Sequence, residues 1–457
     1  MTNTLLTISY ITNEGLVVLE NELVFADGVD KQYAAEFGVN GAKIGQVCNV
    51  RRPPRYIGTF GPALNVEDTN ETFIPVPLNY QFHVDVQFTT ADLLLSMDLF
   101  RTRVLQPMMA TVSNRVDSDG LYFAYQQTAQ TVGAFGTPAS QYLTFALANA
   151  QLINEAVPAG PRRMVLDALT QAYAADGVKG LFNPQISVAE FFRKGMINRQ
   201  TAGFDWFTDQ NVVAFATGAG GGTPTLAATT HTGIISTGWA QEGFIETTGW
   251  TAAAAARVKV GDILQIAGVF PVNPQNRSRY QNGAANGGLK QFVVLPPGGY
   301  TQNPVGTATP GLSFAAATLT SGTFDASTGV YSSTAGGALS IRIGEVLITG
   351  GQFQNCTAPS STTAAIYVNG QAASTFINGT VSPQSIAYHK NAFAVAFADL
   401  PLPRGVQDAA RASDPDIGMS MRMVTQYTIN NDAMPTRCDI LYGWAGLYRN
   451  LAVRVAG

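Results

Sequence analysis

Cysteine and histidine are the residues most often used for metal binding and nucleophilic catalysis, and this chain has few of either. Its three cysteines and three histidines are Cys48, Cys356, Cys438, His83, His231 and His389. No two of them stand at the short spacings typical of zinc sites, and the cysteines form neither a CxxC pair nor a disulfide framework. We therefore expect free, buried thiols in a reducing compartment, and neither a metal nor a cofactor.

The other residues that could carry chemistry also form no recognisable site. The sequence has no GxSxG motif, and the glycines of 218–222 lack the lysine of a phosphate-binding loop and the spacing of a dinucleotide fingerprint. Two carboxylate pairs, Asp117 with Asp119 and Asp414 with Asp416, could hold a cation, but such pairs are more often features of loops or helix ends. Catalytic groups can converge from distant positions, yet nothing in the sequence points to an enzyme.

The densest basic cluster of the chain is followed by an acidic cluster. The basic residues are Lys43, Arg51, Arg52 and Arg55, and the acidic residues are Glu67, Asp68 and Glu71. A basic outgoing strand and an acidic returning strand suit a long two-stranded arm whose charges pair with each other or with a neighbouring subunit. A solvated loop is the alternative interpretation. Nucleic-acid binding is unsupported, because the 457 residues include 27 basic and 31 acidic side chains, for a net charge of −4.

Charged residues make up only 13% of the chain, about half the usual fraction. They are sparsest between Thr217 and Ser385, where 169 residues include eleven charges. Such a low charge indicates either that much surface is hidden in an assembly or that β-structure presents Thr, Ser and Asn to solvent. No run of about 18 apolar residues occurs, so we expect no membrane-spanning segment.

The low-charge block has the pattern of a separate all-β domain. It opens with a glycine-rich linker at 218–224, and Asn-Gly turn signals such as Asn369-Gly370 recur within it. Short apolar runs, for example 263–266 and 339–343, lie between the turns. Many short strands with turn signals are typical of a sandwich or a barrel. The sequence therefore predicts an α+β body that surrounds an inserted all-β domain.

The flanks of the block combine predicted helices and strands. Thr12 is placed to cap a first helix. Strict alternation of apolar and polar residues over 80–88 predicts a half-buried strand. A long helix is predicted over 96–127, which either begins near Pro107 or kinks there. Strands are predicted near the C-terminus, as at 438–447.

Six stretches of the chain are distinctive, namely 198–205 (NRQTAGFD), 258–269 (VKVGDILQIAGV), 438–445 (CDILYGWA), 40–45 (NGAKIG), 49–52 (NVRR) and 398–405 (ADLPLPRG). In these stretches and in the order of its elements, the chain resembles the coat (major capsid) protein family of the short-tailed phage P22, which has the HK97 capsid fold with an added insertion domain. The stretches follow the family order over most of the chain. The block 296–381 departs most from the family, because it is longer and richer in Gly, Ser and Thr.

The resemblance implies an HK97-like fold with an inserted, barrel-like β-domain. The implied parts are an N-terminal arm with a helix (1–42), an E-loop (43–90), a peripheral domain with the spine helix (91–130), the first part of the axial domain (131–216), the inserted β-domain (217–384) and the completion of both domains (385–457). The E-loop would lie over a neighbouring subunit and bring the basic and acidic clusters into subunit contacts. The stretch 238–243, with Trp239, Gln241 and Glu242, is the candidate for a loop between capsomers.

The function implied by the resemblance is that of a major capsid protein of a tailed double-stranded DNA phage. Hexamers and pentamers would form an icosahedral shell that encloses the genome without sequence-specific contacts, with a separate scaffolding protein and a portal as partners. Assembly would take place in the cytoplasm of the host bacterium. The alternatives are another β-rich virion or surface protein (tail tube, decoration protein or adhesin) and a hydrolase whose β-domain offers Trp239 and Trp250 to a carbohydrate.

Overall fold

The computed structural model describes twelve segments of the chain, which are residues 8–31, 47–52, 54–69, 71–88, 101–178, 202–251, 256–282, 288–302, 312–372, 379–414, 419–429 and 434–457. Their α-helices are α1 (Ile8–Glu22), α2 (Gln106–Gln127), α3 (Tyr142–Asn154) and α4 (Ala168–Val178). None of these helices combines the length and the apolar character needed to cross a membrane. Strands account for most of the remaining regular structure, so the fold is a strand-rich α+β fold.

The strands are numbered in chain order. The first seven are β1 (Val47–Arg52), β2 (Thr72–Pro77), β3 (Tyr80–Phe88), β4 (Thr131–Gly133), β5 (Arg162–Leu166), β6 (Asp205–Thr208) and β7 (Ala214–Ala216). The next fourteen are β8 (Gly222–Leu226), β9 (Ile234–Ile235), β10 (Glu242–Trp250), β11 (Ala256–Lys259), β12 (Ile263–Ile266), β13 (Gln291–Val294), β14 (Tyr300–Gln302), β15 (Leu312–Phe314), β16 (Thr323–Asp325), β17 (Val330–Ser332), β18 (Leu339–Gly344), β19 (Leu347–Ile348), β20 (Ile366–Val368) and β21 (Gln371–Ala372). The last six are β22 (Val381–His389), β23 (Phe393–Ala398), β24 (Asp408–Asp414), β25 (Met419–Thr425), β26 (Met434–Gly446) and β27 (Ala452–Ala456).

Helix α1 begins before the predicted cap. Thr12 lies inside the helix, which is described from Ile8 onward, and its side chain is fully buried. The predicted capping role is therefore wrong. A threonine that precedes an apolar run gives the same sequence pattern whether it caps a helix or packs within one. Leu16 and Leu19 follow at helical spacing and join the core of the body.

Helix α2 is the long helix of the body. A π-helical turn, Arg101–Leu105, precedes it, and Pro107 lies in its first turn, where proline is commonly found. Of the two predicted alternatives, an α-helix that begins near Pro107 is the observed one. Gly120 lies in its middle, where an added Cβ would come within 2.5 Å of the Trp444 ring. Glycine therefore allows α2 to pack directly against β26.

Two sheets join the flanks of the block into one body. The first has the strand order β4-β27-β22-β5-β6, with β7 also paired to β22. The second has the order β23-β26-β25-β24, with β3 paired to β26. Because β3 comes from the first flank and β26 from the second, both flanks build one hydrophobic core, to which Leu19, Val112 and Trp444 belong.

The strands between residues 222 and 372 include a separate seven-stranded sheet, in the order β21-β20-β12-β13-β18-β10-β8. At its ends, Thr225 of β8 forms an isolated antiparallel bridge with Ala365, next to β20. The buried cluster of this sheet draws all its members from Leu226–Val368. Asn369 and Gly370 both have positive φ and connect β20 to β21, which confirms the Asn-Gly turn predicted there.

Candidate functional site

A two-stranded arm extends from the body near the start of the chain. Strands β1 and β2 pair antiparallel along their whole length, and their outer ends, Arg52 and Thr72, lie opposite each other. Residues 53–71 connect these ends. At the base of the arm, Ile74 and Val76 pack in one buried cluster with alanines of β23 and with residues of β26. The base is therefore anchored in the body, and the carbonyl of Tyr56 in the connection accepts a hydrogen bond from Arg277 of the low-charge block at 3.0 Å.

The tip of the arm has a defined shape and an apolar surface. The two carboxylate oxygens of Glu67 accept hydrogen bonds from the backbone N–H groups of Ile57 and Gly58, each at 2.6 Å. Beyond this contact, Phe60 and Leu64 have relative exposures of 108% and 90%. Nothing in the described part of the chain covers them. Large apolar side chains grouped at an exposed tip indicate a surface that contacts another molecule.

The charges predicted along the arm pair in part with each other. Arg51 Nη1 lies 3.3 Å from Glu71 Oε2, and both side chains are exposed, so the pair contributes little to stability. The backbone carbonyl of Asp68 accepts a hydrogen bond from Gln352 of the low-charge block at 3.0 Å. Lys43 lies outside the described residues. The role of these residues in subunit contacts stays a prediction.

Arg52 connects three parts of the molecule. Its guanidinium carbon lies 5.0 Å from the ring centroid of Trp239 and 4.7 Å from that of Tyr448. Trp239 belongs to the low-charge block and Tyr448 follows β26, so one arm residue links the arm, the block and the body. Burial, helped by the charge of Arg55, lowers the pKa of Arg52. Arginine suits this position because its planar guanidinium stacks on aromatic rings.

We expect Arg52→Ala to lower the free energy of unfolding of the unassembled chain by about 1–2 kcal/mol, because a partly desolvated cation–π contact is lost. Arg52→Lys should fall between the wild type and the alanine variant, since lysine keeps the charge without the planar group. Arg51→Ala is the matched control and should change stability by less than about 0.5 kcal/mol. Urea unfolding of the purified chains measures all three. Equal losses for Arg51→Ala and Arg52→Ala would contradict the linking role.

The turn predicted to lie between capsomers packs against the body of its own chain. Trp239 is half-buried beneath Arg52. Gln241 donates from Nε2 to the carbonyl of Gly446 at 3.4 Å, and its own carbonyl accepts from Arg449 at 3.1 Å. The side chains of this turn are therefore engaged within the chain, and their contact with another capsomer stays a prediction.

Glu242 forms the centre of a three-residue ionic group. One carboxylate oxygen bonds to the guanidinium of Arg449, and the other bonds to that of Arg342. Burial opposes ionisation of Glu242, but the two arginines outweigh it and lower the pKa of the carboxyl group. Arg449 comes from the turn before β27 and Glu242 begins β10, so this group joins the body to the block.

A second ionic group lies deeper in the same junction. Lys290 Nζ is 3.2 Å from Glu345 Oε1 and 3.7 Å from Glu155 Oε1. The side chains of Lys290 and Glu155 are only 4% and 2% exposed. Burial disfavours the charged form of Lys290, but Glu155 and Glu345 outweigh that effect and raise its pKa. Tyr280 donates its hydroxyl to Glu155, which satisfies a further oxygen lone pair.

This junction was not predicted from the sequence, although one signal could have indicated it. Four of the eleven charges in the low-charge block belong to the two ionic groups, namely Glu242, Lys290, Arg342 and Glu345. The few charged residues of an otherwise neutral β-domain are candidates for buried ion pairs, because the surface of such a domain is covered by neutral polar residues. Glu155 and Arg449 gave no comparable signal, since they lie in the more highly charged flanks.

Of the carboxylates considered for a cation, Asp117 and Asp119 have structural roles instead, while Asp414 ends β24 and Asp416 lies outside the described residues. Asp117 accepts hydrogen bonds from the backbone N–H groups of Val24 and Ala26 at 2.7 and 2.8 Å, and Asp119 accepts one from the Tyr442 hydroxyl. Both residues are buried within α2, so the predicted placement at a loop or helix end is wrong. Within the described segments, no group of three or more His, Cys, Asp and Glu residues could hold a metal ion.

The two cysteines whose side chains are described are suited to packing and not to catalysis. Cys356 and Cys438 are buried and free, as predicted for them. Burial raises the pKa of the Cys356 thiol to about 12, so little nucleophilic thiolate exists near neutral pH. Cys48 lies in β1.

Comparison with known protein families identifies the family of this chain. The model of the family described as P22 coat protein, gene protein 5, matches residues 1–286, which is more than half of the chain. The chain belongs to the P22 coat protein family. As a P22-type coat protein it is a major capsid protein of a tailed phage. It is a structural, non-enzymatic component of the virion, and its copies assemble into a multimeric capsid shell.

Solved phage structures resemble this P22-type coat protein at low sequence identity. A structure titled Mycobacterium phage Che8 is 11% identical, has a TM-score of 0.42 and covers 95% of this chain and 90% of its own. The capsid of Cyanophage P-SCSP1u is 9% identical with a TM-score of 0.40, over 95% and 87% of the two chains. The mature capsid of bacteriophage PhiM1 is 10% identical with a TM-score of 0.35, over 90% and 81%. No curated protein sequence matches the chain significantly.

Proposed function

We propose that this coat protein has the HK97-like fold and builds an icosahedral shell of hexamers and pentamers through its arm. The main support for this proposal is the tip of the arm, where Phe60 and Leu64 are exposed and hydrogen bonds to Glu67 hold the backbone in a defined shape. An exposed apolar tip that is held in a defined shape fits a contact with a neighbouring copy. Residues 43–90 are accordingly the proposed E-loop.

The proposed division of the chain keeps the parts predicted from the sequence. They are the N-terminal arm (1–42), the E-loop (43–90), the peripheral domain with α2 as spine helix (91–130), the first part of the axial domain (131–216), the inserted domain (217–384) and the segment that completes the axial and peripheral domains (385–457). Separate buried clusters in the body and in the block support the insertion boundaries. The bridge between Thr225 and Ala365 brings both sides of the seven-stranded sheet together and supports a barrel.

The proposed partners are a scaffolding protein, a portal and the double-stranded DNA genome, with assembly in the cytoplasm of the host bacterium. The net charge of −4 and the pI near 5.5 support a shell that encloses DNA without sequence-specific binding, since gripping DNA requires a concentrated basic surface. The charged side chains of Arg51, Asp68 and Glu71 remain proposed subunit contacts, because all three are exposed to solvent in the single chain.

Electron microscopy and velocity sedimentation of the purified chain test the proposed function. We expect closed polyhedral shells, or capsomers that convert to shells when a scaffolding protein is supplied. Tubes of constant diameter would favour a tail-tube function instead. A chain that remains monomeric with and without a scaffolding protein would contradict the proposal.

A further inference from the structure

A small cavity lies where the arm, the inserted block and the body meet. Its volume is about 60 Å³, and its lining includes Arg52 and Arg55 of the arm, Glu155 and Arg449 of the body, and Glu345 of the block. One water molecule needs roughly 10–15 Å³ on this measure, so the cavity has room for a few waters or one small chemical group.

Cationic side chains outnumber carboxylates around this cavity. The cations of the junction are Arg52, Arg55, Lys290, Arg342 and Arg449, and the carboxylates are Glu155, Glu242 and Glu345. Lys290 contacts two of these carboxylates, and Arg342 and Arg449 share the third. The two arginines of the arm, Arg52 and Arg55, form no ion pair with any described residue, and burial together with the charge of Arg55 lowers the pKa of Arg52. The junction therefore has two positive charges in excess.

One donor of the cavity wall is also unsatisfied. The Nε atom of Arg449 is buried and has no hydrogen-bond partner among the described residues, although both of its terminal nitrogens are bonded to Gln241 and Glu242. Burying a charge or a donor without a partner is costly. The excess charge and the unsatisfied donor both favour an anionic group in the cavity.

We propose that this cavity binds one carboxylate group, supplied by an acidic side chain of a second copy of the chain. A carboxylate is planar, fits the volume and matches the fork of donors that a guanidinium presents. A second copy is the occupant that the observations favour. The chain assembles with itself, and each copy carries 31 acidic and 27 basic residues. The exposed apolar tip, which we propose contacts a neighbouring copy, belongs to the same arm as Arg52 and Arg55. This inference rests on the proposed assembly through the arm.

The test compares Arg55→Gln with Lys390→Gln, which removes one exposed positive charge far from the arm in sequence. Arg52 is left intact because it also links the arm to the block. We expect Arg55→Gln to raise the protein concentration needed for half-maximal shell formation about tenfold or more, which is the loss of one charge-assisted contact per copy. The urea midpoint of the unassembled chain should stay at the wild-type value. Lys390→Gln should change neither quantity.

Three results would overturn the proposal. The first is an Arg55→Gln variant that assembles like Lys390→Gln. The second is an Arg55-dependent rise in the urea midpoint of the unassembled wild type in 10–50 mM acetate or phosphate, which would assign the cavity to a free anion. The third is a map of wild-type shells in which the carboxylate at Arg55 comes from the same chain. Shells that form in each of these cases would leave the proposed function intact and exclude only this contact.

Discussion

Replacing Lys290 with methionine is expected to lower the free energy of unfolding by about 3–5 kcal/mol. Lys290 lies between Glu345 and Glu155, at 3.2 and 3.7 Å, in a site almost closed to water. Methionine fills a similar volume and brings no charge, so the variant removes the cation that contacts both carboxylates. Urea unfolding of the unassembled chain, followed by circular dichroism, measures the loss.

A second substitution separates the charge effect from loss of packing. Lys290→Met combined with Glu155→Gln removes the more deeply buried of the two carboxylates, while the glutamine amide can still accept the Tyr280 hydroxyl. We expect the double variant to recover at least half of the stability lost by Lys290→Met. If the two variants are equally unstable, the lysine stabilises the junction by packing and not by its charge.

The same variant has a predicted pH dependence. Burial raises the pKa of Glu155 above 4.5, and Lys290 opposes that rise. Without the lysine the pKa rises further, so the folded chain retains a proton that the unfolded chain has already released. The free energy of unfolding of Lys290→Met should therefore fall more steeply than that of the wild type as the pH rises from about 4.5 towards neutrality. Parallel curves for the two proteins would argue against an uncompensated Glu155.

The second large effect concerns assembly. The double substitution Phe60→Asp with Leu64→Asp is expected to abolish shell formation and to leave the free energy of unfolding within about 0.5 kcal/mol of the wild type. Both side chains are exposed in the single chain, so folding does not depend on them. A charge placed in an apolar contact between subunits costs several kcal/mol, and the cost recurs at every equivalent contact of a closed shell. Sedimentation and urea unfolding measure the two quantities.

A conservative control distinguishes the apolar contact from a general disturbance of the tip. Phe60→Leu with Leu64→Met keeps both positions apolar and changes their volumes only modestly. We expect this variant to form shells. Shell formation by the aspartate variant at wild-type yield would show that the tip does not lie in a subunit contact.

The strands of the body show where sequence patterns suffice and where they fail. The alternation over 80–88 predicts β3 with its observed bounds, because Phe82, Val84 and Val86 of one face pack, partly buried, against the core of the body. Strand β24, with the sequence DAARASD, gives no such signal, since alanine and aspartate have little preference for strands. It forms because it pairs with β25 along its length, with Ala410 and Ala412 buried, and these are tertiary effects.

The site was predictable only in outline. The charge pattern indicated an arm, and the exposed tip and the pair of Arg51 with Glu71 lie on it. The neighbouring Arg52 has the same residue type and a different role, because contacts with residues almost 190 and 400 positions away decide its environment. The spacing of residues along the chain does not predict contacts between residues so far apart in sequence. The environment of the turn at 238–243 is likewise decided by its packing partner, which is the body of the same chain.

A cryo-electron-microscopy reconstruction of shells assembled from the wild-type chain, at a resolution that shows side chains, tests the central claim most directly. We predict that residues 56–66 of each arm lie on a neighbouring copy and that Phe60 and Leu64 are buried in that contact. Complete shells in which these tips face solvent, or a protein that forms no shells under any assembly condition, would contradict an arm that joins coat subunits.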